Sequence, residues 1–176
     1  MYYRTRTYLA GDWDGDNDLI QQIKDWKDNG KFILDYTDAH ELKQARDDSL
    51  NCTIKRSLSD RLNRSKTFVL IVGGKTDSVT SGSCRYCPNY WSGFLCCSRG
   101  HYQDLRSYIE YECEKAALDY MDYGINIVVI YNYMHIYREK CPKAVRYIGT
   151  HIAGKTRDEY GNVEFDYQSI RNAIMY

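Results

Sequence analysis

Thr67 to Val72 (TFVLIV) is an apolar run that stops at Gly73-Gly74. A run of that length with no alternation fits a strand buried on both faces, the position of a central strand in a parallel sheet. Such a strand needs a covering layer on each side, so the rest of the chain must supply helices and neighbouring strands. The flanking pattern does so. Thr7 to Ala10 (TYLA) reads as a short strand ending at Gly11, and Leu19, Ile20, Ile23 and Trp26 follow at helical spacing up to Asn29-Gly30. Lys31 to Leu34 (KFIL) reads as a second short strand, followed by a polar connection from Asp35 to Ser49. Ile54, Leu58 and Leu62 mark a helix capped by Asn51 or Thr53, and Asn126 to Tyr131 (NIVVIY) is another buried strand. Beyond Pro142 the pattern predicts a strand within Arg146 to Ile152. A turn between short extended pieces follows over Glu159 to Phe165, and then a closing helix over Asp166 to Tyr176.

Strands alternating with helices predict an α/β fold, a doubly wound parallel sheet of the flavodoxin-like kind. Ligands of such sheets bind beyond the carboxyl ends of the strands, where the strand order reverses. The loops expected there are Gly11 to Asp16, Asp35 to His40 and the chain from Gly73 onwards. At 176 residues the expectation is one domain spanning 1–176, with an insertion at about 75–103. Lys+Arg and Asp+Glu both count 24, which gives no charge argument for nucleic acid or anionic membranes. No apolar stretch is long enough to span a membrane, and the first residues lack the apolar core of a signal peptide, so a cytoplasmic protein is expected. Eighteen Tyr against four Phe suit wet clefts or a self-association surface.

A single acid breaks the next amphipathic pattern. Winding Asp104 to Tyr123 at about 100° per residue puts Leu105, Tyr108, Ile109, Cys113, Ala116 and Tyr120 on one face. Glu112 falls near the centre of that face, while Glu110 and Glu114 point towards water. An acid on an apolar face is costly unless it is paired, neutralised or lining a cleft. Periodicity permits two readings: a functional carboxylate, or a structural acid bonded to a buried partner.

Three further groupings carry chemistry. In Ala10-Gly11-Asp12-Trp13-Asp14-Gly15-Asp16 the glycines allow close backbone approach to a ligand. Trp13 can stack on a ring, and the acids can hold ribose hydroxyls or a cation. The same residues also read as an acidic helix start with Asp16 as N-cap. Asp35-Tyr36-Thr37-Asp38-Ala39-His40 offers polar contacts at a strand end, or is an ordinary exposed loop. Seven Cys occur, four of them within Cys84 to Cys97, a clustering that favours metal over disulfides in a reducing compartment. Cys84-x-x-Cys87 with Cys97 and either His101 or Cys96 would complete a tetrahedral zinc site; a disulfide or free thiols are the alternatives. No G-x-S-x-G or P-loop is present.

The order strand, acidic loop, helix, TFVLIVGG and then SYIEYECEKA resembles the TIR-like domain of Thoeris anti-phage defence proteins, of the ThsB type. The resemblance spans roughly Thr5 to Tyr131. It implies cleavage of the nicotinamide–ribose bond of NAD+, with Glu112 as the catalytic carboxylate one turn after Tyr108. It further implies that Gly11, Asp12, Trp13, Asp14, Tyr36, Asp38 and Tyr108 line the substrate. The implied product is a cyclic ADP-ribose isomer, a diffusible signal for an effector protein, made by a self-associating enzyme. The Cys-rich insertion, Tyr108 where many relatives have Trp, and the Ala10-Gly11 strand ending depart from that pattern. The opening TYLAGDWDGD is also similar to the start of nucleoside 2-deoxyribosyltransferases, which would keep Glu112 catalytic on a nucleoside. A non-catalytic TIR-like interaction module, with Glu112 structural, is the remaining alternative.

Overall fold

Eight residues, Ser65–Val72, form the central strand, and only Lys66 among them is exposed. The computed structural model describes residues 4–12, 15–31, 36–38 (as backbone) and 50–175. Numbered along the chain, the strands of the main sheet are β1 (Arg6–Ala10), β2 (Tyr36–Asp38), β3 (Ser65–Val72), β4 (Asn126–Tyr131) and β5 (Thr150–Ala153). They lie in the order β2-β1-β3-β4-β5, and every neighbouring pair is parallel. A two-stranded antiparallel ribbon, β6 (Lys155–Arg157) with β7 (Val163–Phe165), follows. The helices are α1 (Asn17–Asp28), α2 (Asn51–Leu62), α3 (Tyr108–Tyr123) and α4 (Tyr167–Met175).

The period-2 alternation of the strands divides the core into two layers. Tyr8, Phe68, Leu70, Val129 and Tyr131 face Leu58 and Leu62 of α2 and Tyr108, Ile109, Cys113 and Ala116 of α3. Leu9, Val69, Ile71, Val128 and Ile130 face Leu19, Ile20, Ile23 and Trp26 of α1 and Ile170 and Ile174 of α4. Each fully buried aliphatic side chain contributes roughly 1.5–3 kcal/mol, so both faces of the sheet hold covering helices. This is the flavodoxin-like doubly wound sheet expected from TFVLIV and NIVVIY, and the strand order reverses between β1 and β3.

The local differences have physical causes. Residues 32–34 of the expected strand Lys31 to Leu34 lie outside the described residues, and the strand that pairs with β1 is Tyr36–Asp38, expected as loop. Leu50, not Asn51 or Thr53, is the N-cap of α2, and the Asn51 amide is engaged instead by the Ser83 carbonyl. The strand expected within Arg146 to Ile152 begins at Thr150 and runs to Ala153. The helix expected from Asp104 starts at Tyr108, so Leu105 precedes it and is 48% exposed. Ser107 and Glu110 cap that start reciprocally, each side chain bonding the other residue's backbone N–H. At the far end Tyr120 turns outward and Asp119 takes the buried place, paired with Arg4 at 2.9 Å and Lys115 at 2.5 Å.

The stretch from Gly74 to Arg106 holds two single-turn 3-10 helices, Thr76–Ser78 and Cys84–Tyr86, and one isolated bridge between Cys96 and Tyr102. It is tied down by polar contacts. Lys55 of α2, only 3% exposed, donates to the carbonyls of Asp104 at 3.2 Å and Arg106 at 2.6 Å and pairs with the Asp104 carboxylate. The Asn51 amide donates to the Ser83 carbonyl at 3.0 Å and accepts from the Tyr108 hydroxyl at 3.0 Å.

Candidate functional site

Glu112 lies in the second turn of α3 and faces the sheet, where it is 1% exposed. The Tyr8 hydroxyl, fully buried in the middle of β1, donates to its Oε1 at 2.5 Å. That distance is at the short end of the range for O–H···O hydrogen bonds. Phe68 of β3 stacks beside Tyr8 with ring centroids 5.9 Å apart and fixes the phenol plane. The buried acid is therefore held by an aromatic donor from the strand beside the switch point. Tyr8 escaped the sequence reading, although a tyrosine inside a strand buried on both faces must find a partner for its hydroxyl.

A second buried carboxylate sits at the switch point itself. Asp16, 1% exposed, accepts from the Asn132 amide at 3.2 Å and from the Thr76 hydroxyl at 3.5 Å, so it joins the loops after β1, β3 and β4. A Cβ at Gly73 would lie 1.6 Å from its Oδ1, so only glycine fits after β3. Burial pushes the Asp16 carboxyl up to about 6, with Asp12 and Asp18 adding to the rise and the Asn132 bond opposing it. Asp16 occupies the N-cap position expected for it, but its side chain caps nothing in α1. Its partners come from distant loops, which a reading of local sequence does not reach.

The other expected substrate residues are distributed unevenly. Trp13 and Asp14 lie outside the described residues, and Tyr36 and Asp38 are described only as strand backbone. Gly11 is buried, and a Cβ there would press on Ile71 at 3.3 Å and Ile20 at 3.4 Å, so its smallness serves packing. Asp12 is half-buried, and its carboxylate lies where a Cβ at Gly15 would fall, at 2.7 Å. Tyr108 is 4% exposed beneath Gly82, which has φ +95 and leaves no room for a side chain. Its hydroxyl, pushed up to about 12 by burial, donates to the Asn51 side-chain oxygen at 3.0 Å.

Residues 8–80 match the family Thoeris protein ThsB, TIR-like domain. This TIR-like match begins at Tyr8 itself and takes in the last three residues of β1, then α1, Asp16, β2, α2 and β3. It ends before Cys84 and before α3, so Glu112 lies outside the TIR-like match while its hydrogen-bond donor lies within it. No curated protein matches the chain.

A cavity of about 280 Å³ opens on the outer side of α3, lined in part by Asp77, Ser107, Glu110, Glu114, Lys143 and Arg146. The Ser107–Glu110 capping box already uses donors of the α3 N-terminus there, and the lining mixes both signs of charge. It is no ready anion site, and Glu112 faces away from it. Cys84, Cys87, Cys97 and His101, expected as metal ligands, line one small cavity against α2, whereas Cys96 is exposed and absent from it. Among the described residues, no three His, Cys, Asp or Glu side chains converge on one point as they stand. Among these residues, too, no helix is long and apolar enough to cross a membrane.

Proposed function

We propose that the chain is an NAD+-cleaving TIR-like enzyme of Thoeris-type defence, with Glu112 as its catalytic carboxylate. The observation that carries the reading is the Glu112 carboxylate, buried and held at 2.5 Å by Tyr8, the residue at which the family match begins. Breaking the C1′–N bond sends the bonding pair to nicotinamide, which leaves neutral, and concentrates positive charge on the ribosyl carbon. A fixed carboxylate in a water-poor site stabilises that charge as it develops. The cation is then captured by water or by the adenine of the same molecule, with a proton lost to solvent. Adenine capture gives the cyclic ADP-ribose isomer that serves as a signal to an effector protein. Gly11, Asp12, Trp13, Asp14, Tyr36, Asp38 and Tyr108 are the proposed substrate-binding residues in this reading.

At 1% exposure Glu112 meets a ribose only after the groups covering it move aside. Self-association is the proposed trigger, so specific activity is expected to rise with protein concentration. The same burial supports a second reading, a TIR-like interaction module in which Tyr8 and Glu112 are a structural pair. Incubation with NAD+ and mass spectrometry of the products separates the two. Wild type is expected to release nicotinamide, and Glu112→Gln, which keeps an oxygen for Tyr8, to lose at least 100-fold of that rate. Base exchange between a deoxynucleoside and a free base would instead identify a deoxyribosyltransferase. Silence in both assays, including under forced self-association, would establish the module.

A further inference from the structure

Between Arg85 and Tyr102 no residue is buried. Trp91 is 52% exposed, Phe94 57% and Leu95 72%, so this stretch has no hydrophobic core of its own. Its turns are nonetheless defined. The Gln103 amide nitrogen lies 2.9–3.0 Å from the carbonyls of Trp91, Phe94 and Cys96, and the backbone of Cys97 bonds to His101. A segment that cannot bury apolar surface needs a covalent or metal staple to stay ordered. Cysteines gather where one would be needed. Cys84, Cys87 and Cys97 of the insertion line a single cavity of about 10 Å³ together with Cys52 from the first turn of α2. Four cysteines from two elements therefore border one small space between α2 and the stretch that follows β3.

We propose that Cys52, Cys84, Cys87 and Cys97 form a structural zinc site that fastens the insertion to α2. Four thiolates around a tetrahedral cation at about 2.3 Å are a closed, non-catalytic set. The sulfurs do not yet meet at one point, but a cysteine has a single side-chain torsion. Rotation between its staggered positions swings the sulfur by about 3 Å while the backbone stays in place. Binding releases the thiol protons to solvent as each sulfur becomes a ligand. Lys55, one turn after Cys52 on α2, pairs with the Asp104 carboxylate at 3.2 Å. Cys52 is the unexpected member, since it lies far upstream of the cysteine cluster. Its neighbours Asn51 and Lys55 already bond the insertion at Ser83, Asp104 and Arg106. His101 also touches the cavity but is exposed, which leaves it at the rim. The consequence for the neighbouring site is positional, because Tyr108, one turn before Glu112, bonds Asn51 beside the same cavity.

The test is elemental analysis of protein purified without chelator, followed by Co2+ titration of the chelator-treated chain. About one zinc per chain is expected, and Co2+ should give the near-ultraviolet thiolate charge-transfer band and visible bands of a tetrahedral thiolate site. Cys52→Ser should lose the metal, while His101→Ala and Cys96→Ser retain it. Because Cys52→Ser can also fail to fold, alkylation of wild type followed by mass spectrometry provides a second reading. Cys52, Cys84, Cys87 and Cys97 should be protected until chelator is added, and Cys96 should react at once. Absence of zinc together with no cobalt–thiolate band would overturn the site. So would equal alkylation with and without chelator, or an intact mass showing disulfides. Metal retained in Cys52→Ser but lost in His101→Ala would overturn the assignment of Cys52.

Discussion

Tyr8 allows the buried carboxylate to be probed without altering it. Tyr8→Phe removes one hydroxyl and leaves Glu112 short of a donor in a site that is 1% exposed. A lost partner in that setting costs about 1–3 kcal/mol, to be read from urea unfolding. If the pair is catalytic, the rate of nicotinamide release falls at least tenfold as well; a purely structural pair moves only the stability. Asp16 calls for a pH experiment. Its carboxyl is raised from the ordinary 3.8 to about 6, so the folded state holds its proton more tightly than the unfolded chain. The stability it lends is therefore full below about pH 4, declines as the pH rises through 6 and is absent above that. Asp16→Asn should stabilise the fold at pH 7.5 by on the order of 2 kcal/mol and leave its stability nearly unchanged at pH 4, as read from urea unfolding. The burial of Glu112 was legible from helical periodicity alone. Tyr8, Asp16 and Cys52 were not, because each takes its meaning from partners on other elements.

At the scale of elements, α3 depends on how it begins. Lys55 and Arg106 grip Asp104, and Ser107 with Glu110 then closes the first turn. Ser107→Ala is expected to cost about 1 kcal/mol in thermal or urea unfolding, since it leaves a backbone N–H near the buried end of the helix without its acceptor. The spacing Ser-x-x-Glu at 107–110 carried that start in plain view. Extending the apolar stripe back to Leu105 hid it, because one exposed leucine fits the same angular sector. The stretch from Gly74 to Arg106 stands out in the sequence as an interruption and as a cysteine pattern. Its attachment does not, since attachment runs through the polar side chains of Asn51 and Lys55.

For the molecule as a whole, the apolar runs TFVLIV and NIVVIY dictated a two-faced parallel sheet, and the alternating helices dictated its covering. What they left undetermined was the polar stitching between distant segments. Asp119, 2% exposed, ties Arg4 ahead of β1 to Lys115 within α3. Asp119→Ala removes both ion pairs from a buried position and is expected to cost about 2 kcal/mol in urea unfolding, with the unfolding slope unchanged. Longest in consequence is the bond between Tyr8 and Glu112, whose partners stand 104 residues apart in the chain. Long-range parallel pairings form late, after loop-closure entropy has been met. On the ribosome, a nascent chain that has made β1, α1, β2, α2 and β3 still lacks the carboxylate, and gains it only when α3 emerges and docks. Truncated or stalled products therefore cannot carry the Tyr8–Glu112 pair, and any chemistry that depends on it is confined to chains whose synthesis has passed α3.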